Sequence, residues 1–196
     1  MSYRDAPVRQ RVGPGSMGGN PAQQAAAAVL AAAGLEAAMT GLHETDTTYA
    51  MQRKMHGSER HSADLTVHDP ADQTGYARVV KVEAKGGNDR VSVKLADLIW
   101  LAYNAATTDT RFVLALYFQE HGEVWFATPQ AIAHLLRDPR VESDVHDLND
   151  RHPKPCVWIT RDLLASWRTV GTVQAELRDA YNAEAAKRRQ EKLAAA

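Results

Sequence analysis

Glu83 and Lys85 flank Ala84 at the end of an apolar run, Tyr76 to Val82. Side chains alternate along a strand, so residues two apart project from the same face. A carboxylate and an ammonium side by side at a strand end can hold a divalent ion and a water next to a phosphate. Asp64 closes a polar stretch upstream, and the 18 residues between it and Glu83 suffice for one strand, a turn and most of a second strand. The two carboxylates are therefore expected to meet on adjacent strands.

The chemistry this suits is phosphodiester cleavage, which needs a positioned water, charge stabilisation at phosphorus and help for the leaving oxygen. Asp64 and Glu83 would be ligands to Mg2+, with Mn2+ as a substitute, since magnesium takes oxygen donors and keeps several of its waters. The carbonyl of Ala84, between the paired side chains, would add a third donor. Lys85 would orient or help deprotonate the attacking water, and its charge would stabilise the developing phosphorane. Asp69 and Asp72 are rival first carboxylates, both in a loop bounded by Pro70 and Gly75.

These residues need a sheet to hold them. Asn20, Pro21 and Gly41 read as cap, first position and stop of an alanine-rich helix running to about Met39. Thr45 to Gln52 and His61 to His68 read as strands, the second with Leu65 and Val67 alternating with polar neighbours. Asp69 to Gly75 is a loop and Tyr76 to Lys85 the next strand, which Gly86 to Asp89 breaks. Val80, Val82 and Ala84 are expected on one face, and Lys81, Glu83 and Lys85 on the other.

Helical spacing of Val93, Ala96, Ile99, Trp100 and Tyr103 predicts a helix over 91–106. Arg111 to Phe118 reads as a buried strand and Glu123 to Ala127 as another. Thr128 and Pro129 open a helix to about Arg137. Asp138 to Pro155 reads as an exposed loop, Val157 to Thr160 as a strand before a helix at Arg161 to Trp167, and Val173 to Leu193 as a terminal helix. Trp125 and Trp158, in apolar strands, are expected in the core.

Asp64 followed by Glu83-Ala84-Lys85, in that order of elements, resembles the PD-(D/E)xK nuclease superfamily, over roughly residues 21 to 118. The resemblance implies an α/β fold of restriction-endonuclease-like type, a mixed central β-sheet flanked by helices. It implies Asp64 and Glu83 as metal ligands, Lys85 as the catalytic lysine and double-stranded DNA as substrate, cut to leave 5′-phosphate and 3′-hydroxyl ends. Ala63 stands where the family often has proline. For the glutamate that many members carry in the first helix, this chain offers Gln23, Gln24 and Glu36. Lys94, near the start of the next helix, is expected to support the site or contact DNA, with Arg90, Lys81, Arg53 and Lys54 as further phosphate contacts. The function expected is a type II restriction-like endonuclease. Its alternatives are a structure-selective repair or junction nuclease and a DNA-binding module without turnover.

Length and composition fit this reading. The 196 residues, 44% hydrophobic and 24% charged, are enough for one substantial core. Residues 1–20 are expected as a flexible leader, 21–170 as one nuclease-like domain and 171–196 as a helical tail. The single Cys156 leaves no intrachain disulfide or cysteine-rich zinc cluster. No apolar stretch has the length and character of a membrane span, and a cytoplasmic location is expected. Net charge of −1 argues against a protein that coats nucleic acid, though not against local recognition. Cutting both strands of a duplex needs two active sites, and a homodimer is the simplest supply. The eight histidines offer His68-Asp69 and His146-Asp147 as pairs, but beside loops and strands rather than on the long helices an HD-type centre needs.

Overall fold

A computed structural model of the chain describes residues 21–39, 63–71, 80–107, 110–146, 154–164 and 171–195. The expected strand at Thr45 to Gln52 and the leader lie outside the described residues. At the centre is a five-stranded mixed sheet in the order β1-β2-β3-β5-β6, formed by Glu36–Met39, Leu65–His68, Val80–Gly87, Arg111–Phe118 and Glu123–Ala127. β3 and β5 run parallel, and every other neighbouring pair in this sheet is antiparallel.

β5 shows why the sheet is central. Phe112, Leu114, Leu116 and Phe118 belong to one hydrophobic cluster, while Val113 and Ala115 belong to a second on the opposite face. A strand buried on both sides needs an unbroken apolar run, and Phe112 to Phe118 is one. The second cluster is closed by α1 (Pro21–Ala32) and the start of the C-terminal helix, which contributes Val173 and Leu177. The first cluster is closed by α2 (Leu95–Thr107), α3 (Pro129–Leu135) and a small antiparallel sheet of β4 (Arg90–Lys94), β8 (Lys154–Thr160) and β7 (Glu142–His146). The C-terminal helix, α4, spans Gly171–Ala194. The architecture is the mixed α/β sheet flanked by helices that the sequence implies.

Four expectations are corrected. α1 ends at Ala32 rather than near Met39, because Gly34 takes φ +81° and closes the helix. Leu35 N–H donates to the Leu30 carbonyl at 3.0 Å and Gly34 N–H to Ala31 at 2.9 Å, the two bonds of a Schellman stop. Glu36–Met39 is then free to become strand β1. Secondly, the break after Lys85 comes later: β3 runs to Gly87, and only Asn88 and Asp89 turn the chain. Thirdly, the helix expected from Val91 begins at Leu95. Val91 and Val93 alternate as buried residues of β4, paired with Ile159 and Val157. Lastly, Glu142–His146, expected within an exposed loop, is the edge strand β7.

The capping expectation holds at α3, where Thr128 accepts from Ala131 N–H at 3.2 Å and Pro129 starts the helix. Arg161–Leu164 is a single 3-10 turn, and residues 165–170 lie outside the described residues. Trp125 is buried in the first cluster as expected. Trp158 is only half-buried, and the Arg90 guanidinium lies over its ring, 4.4 Å from the centroid.

Candidate active site

β3 carries the site by simple alternation. Val80, Val82 and Ala84 are buried against α1, so Lys81, Glu83 and Lys85 project from the opposite face, toward α2. Asp64 immediately precedes β2, whose Leu65 pairs with Val82, and so it lies alongside the Glu83-Ala84 segment. Its Oδ2 accepts from the Ala84 N–H at 2.7 Å. The N–H and C=O of one strand residue point to the same side, so the Ala84 carbonyl opens toward the edge where Asp64 sits. The three residues read from the sequence as the reactive group are thus brought together with the Ala84 backbone.

Two neighbours complete the site, and both are on helices. Gln23, 5% exposed, donates from Nε2 to Asp64 Oδ1 at 2.5 Å. It reaches there because α1 lies close on β3: a Cβ built on Gly86 would stand 3.0 Å from Ala22 Cβ. Glu36, a candidate first-helix acid, is on β1 instead and pairs with His68 Nε2 at 2.9 Å. Asp97, in the first turn of α2, forms an ion pair with the Lys85 ammonium at 2.8 Å, while Glu83 Oε1 accepts a hydrogen bond from the same Nζ at 2.7 Å. Asp97 was not among the expected site residues. Its one signal in the sequence is that it is the sole charged residue in Leu95–Thr107.

The electrostatics follow from this crowding. Burial pushes the Glu83 carboxyl up to about 7, with the Lys85 ammonium opposing and the Asp64 carboxylate reinforcing the shift. For Lys85, burial works against the charged form, but Glu83 and Asp97 outweigh it and hold the ammonium above the usual lysine range. Lys85 is thus a firmly protonated donor between two carboxylates.

The other expected residues are more scattered. Lys81 shares the site face, its Nζ donating to Thr66 Oγ1 at 2.5 Å. Lys94 is the last residue of β4, directly before α2. Arg90, on the small sheet, is engaged by Glu142 at 3.1 Å and by the Trp158 ring. Arg53, Lys54 and the rival Asp72 lie outside the described residues. Asp69 accepts from Ala71 N–H at 2.9 Å, so its carboxylate serves its own turn.

Among the described residues no three His, Cys, Asp or Glu side chains converge to hold a metal ion. The donors at the site are two carboxylates and a backbone carbonyl, all hard oxygens. Such a partial set fits Mg2+ or Mn2+, which keep several waters, and does not fit zinc.

No family model matches the chain, and no curated protein does. Two solved structures are similar to it over most of its length. One is D212, a nuclease from a fusselovirus, at 12% identity and TM-score 0.47, covering 76% of this chain and 78% of that one. Another is Hjc, a Holliday junction resolvase from the archaeal hyperthermophile Archaeoglobus fulgidus, at 11% identity and TM-score 0.44, covering 79% and 98%. At these values the site, and not the likeness, has to carry the function.

Proposed function

We propose that this chain is a Mg2+-dependent DNA endonuclease whose active centre is Asp64, Glu83, Ala84 and Lys85. The observation that carries the reading is the bond from Ala84 N–H to Asp64, which sets a carboxylate at the entry to one strand beside the Glu-x-Lys face of the next. Asp64, Glu83 and the Ala84 carbonyl are the ligand set. A bound Mg2+ would supply Lewis acidity at the phosphate and a water of lowered pKa.

The protein's own part follows from geometry. Gln23 and the Ala84 amide hold both oxygens of Asp64, fixing that carboxylate before any ligand arrives. Lys85, fixed by Asp97, points a charged donor at the space above Glu83. There it orients the attacking water in line with the 3′-oxygen and stabilises charge on the phosphorane, leaving a 5′-phosphate. Lys81, Lys94 and Arg90 are candidates for contacts to the DNA backbone, as are Arg53 and Lys54. Sequence-specific cutting, of the restriction type, is the primary reading, with junction or repair selectivity the alternative.

A second reading has one observation in its favour. Gln23 presents a neutral amide to Asp64 where a glutamate would add a ligand, which suits a DNA-binding module on the same fold.

One experiment separates these. Purified protein, with Asp64→Ala and Lys85→Ala variants, is incubated with plasmid and phage DNA and with a branched duplex, in Mg2+ or Mn2+. Discrete fragments from wild type alone support sequence-specific cleavage, and cutting confined to the branched duplex supports structural selectivity. Binding without cutting, unchanged in Glu83→Ala, supports the non-catalytic module. Cleavage that survives both substitutions places the chemistry elsewhere.

A further inference from the structure

Among the described residues Gln23 alone is a buried polar residue, 5% exposed on the face of α1 that also buries Ala22, Ala26 and Leu30. Its amide bridges α1 and Asp64 directly, with Nε2 2.5 Å from Oδ1. The orientation of that amide is fixed by chemistry, because turning it over would set two oxygens against each other. The helix stands close on the sheet here, since a Cβ on Gly86 would lie 3.0 Å from Ala22 Cβ. Asp64 Oδ2 is held from the other side by Ala84 N–H at 2.7 Å. A neutral donor is therefore seated against one oxygen of a carboxylate, where a cation shared between α1 and Asp64 would otherwise lie. A direct contact of this length leaves no room for an ion between the two groups.

The charge of the site is a second, independent observation. Asp64, Glu83 and Asp97 surround one ammonium, that of Lys85. With all three carboxylates ionised the group carries −2, which one divalent ion cancels. A second ion would leave +2 beside Glu83 and Lys85, whose side chains are only 15% and 25% exposed. Without DNA nothing offsets that excess, and uncompensated charge withdrawn from water is costly.

We propose that Gln23 is a positioning residue that limits this centre to one divalent ion, its amide taking the place beside Asp64 Oδ1 that a second ion would need. That there is an ion to count rests on the nuclease reading; the limit itself rests on Gln23. In Gln23→Glu the donor is lost, an oxygen ligand is gained and the net charge falls to −3. Two carboxylates then face each other across the gap between α1 and Asp64, and they repel until a cation lies between them.

Counting ions tests this without DNA. Mn2+ is titrated into the full chain at pH 8, and unbound Mn2+ is measured by its electron paramagnetic resonance signal. The count that matters is the excess over Asp64→Ala, which removes ions bound elsewhere on the chain. Wild type should hold one such ion and Gln23→Glu two. Without divalent ions Gln23→Glu should melt below wild type, and saturating Mn2+ should raise its Tm by more than it raises that of wild type. Gln24→Glu adds the same charge at the next residue of α1, which is exposed, and should count one as wild type does. A wild-type count of two overturns the limit, and does so even where Gln23→Glu fails to fold. A folded Gln23→Glu that still counts one, or a Gln24→Glu that counts two, also overturns it. A wild-type count of zero overturns the nuclease reading together with the limit, so the two failures are told apart.

Discussion

Burial of Glu83, with the Asp64 carboxylate adding to it, favours the protonated form of its side chain. With its folded pKa raised to about 7 from an ordinary 4.5, Glu83 binds a proton that the unfolded chain lacks between those values. The native state then holds more protons than the unfolded one, so stability falls as pH rises from about 4.5 to 7. Denaturant midpoints at pH 5 and pH 8 should therefore converge in Glu83→Gln and differ in wild type, without divalent ions. A cation must displace that proton, so Mn2+ affinity should climb with pH and level off above about 7. Asp97 gives a second prediction at this scale. Asp97→Asn keeps the shape but weakens the hold on Lys85, and should lower kcat on the order of 10- to 100-fold with little change in KM for DNA, while Asp97→Glu recovers part of the loss. That Asp64, Glu83 and Lys85 come together was legible in the sequence, from strand alternation, spacing and the family resemblance. Gln23 was one of three candidates for the first-helix position, and the structure singles it out from Gln24 and Glu36; Asp97 was not expected, since it reaches the site only through the way its helix lies on the sheet.

At the scale of elements, Gly34 decides where α1 stops. Its φ of +81° is ordinary for glycine and strained for other residues, so Gly34→Ala should cost about 1 kcal/mol in urea unfolding, although nothing crowds the position. The sequence carries that stop, but Gly41 competes with it, and the alanines of Glu36–Met39 favour helix locally while their pairing with β2 favours strand. β4 misleads in the same manner. Val93 fits the helical spacing of α2, and the partner that makes it a strand, Lys154–Thr160, lies some 60 residues downstream with no local trace. The opposite faces of α2 supply a paired prediction. Leu101→Ala should cost about 3 kcal/mol through a buried cavity, whereas Ile99→Ala should leave the stability of the single chain within about 0.5 kcal/mol.

Across the whole molecule, two clusters share one sheet, and the C-terminal helix is split between the second cluster and solvent. Val173 and Leu177 are buried with Leu30 and Phe126, while every residue from Ala186 to Ala195 is exposed. Ending the chain at 170 should therefore cost several kcal/mol, on the order of 3–5 by the burial of two aliphatic side chains, and ending it at 185 almost nothing. Thermal unfolding of the two truncations measures this directly. No helix among the described residues is long and apolar enough to cross a membrane.

The parallel pairing of β3 with β5 has a consequence in time. Each residue of β3 from Val80 to Gly87 meets a partner 31 positions later, whereas β5 and β6 form a hairpin closed by Phe118 and Glu123. Loop closure favours the short hairpin ahead of the parallel register in folding. Glu83 and Lys85 sit on the strand with the longer closure, so a half-folded chain in which that pairing is missing leaves the Asp64, Glu83 and Lys85 group unassembled. On the proposed nuclease reading, hydrolytic capacity would arrive only with that pairing, and the order of strand pairing would be a safeguard for the cell that synthesises the chain.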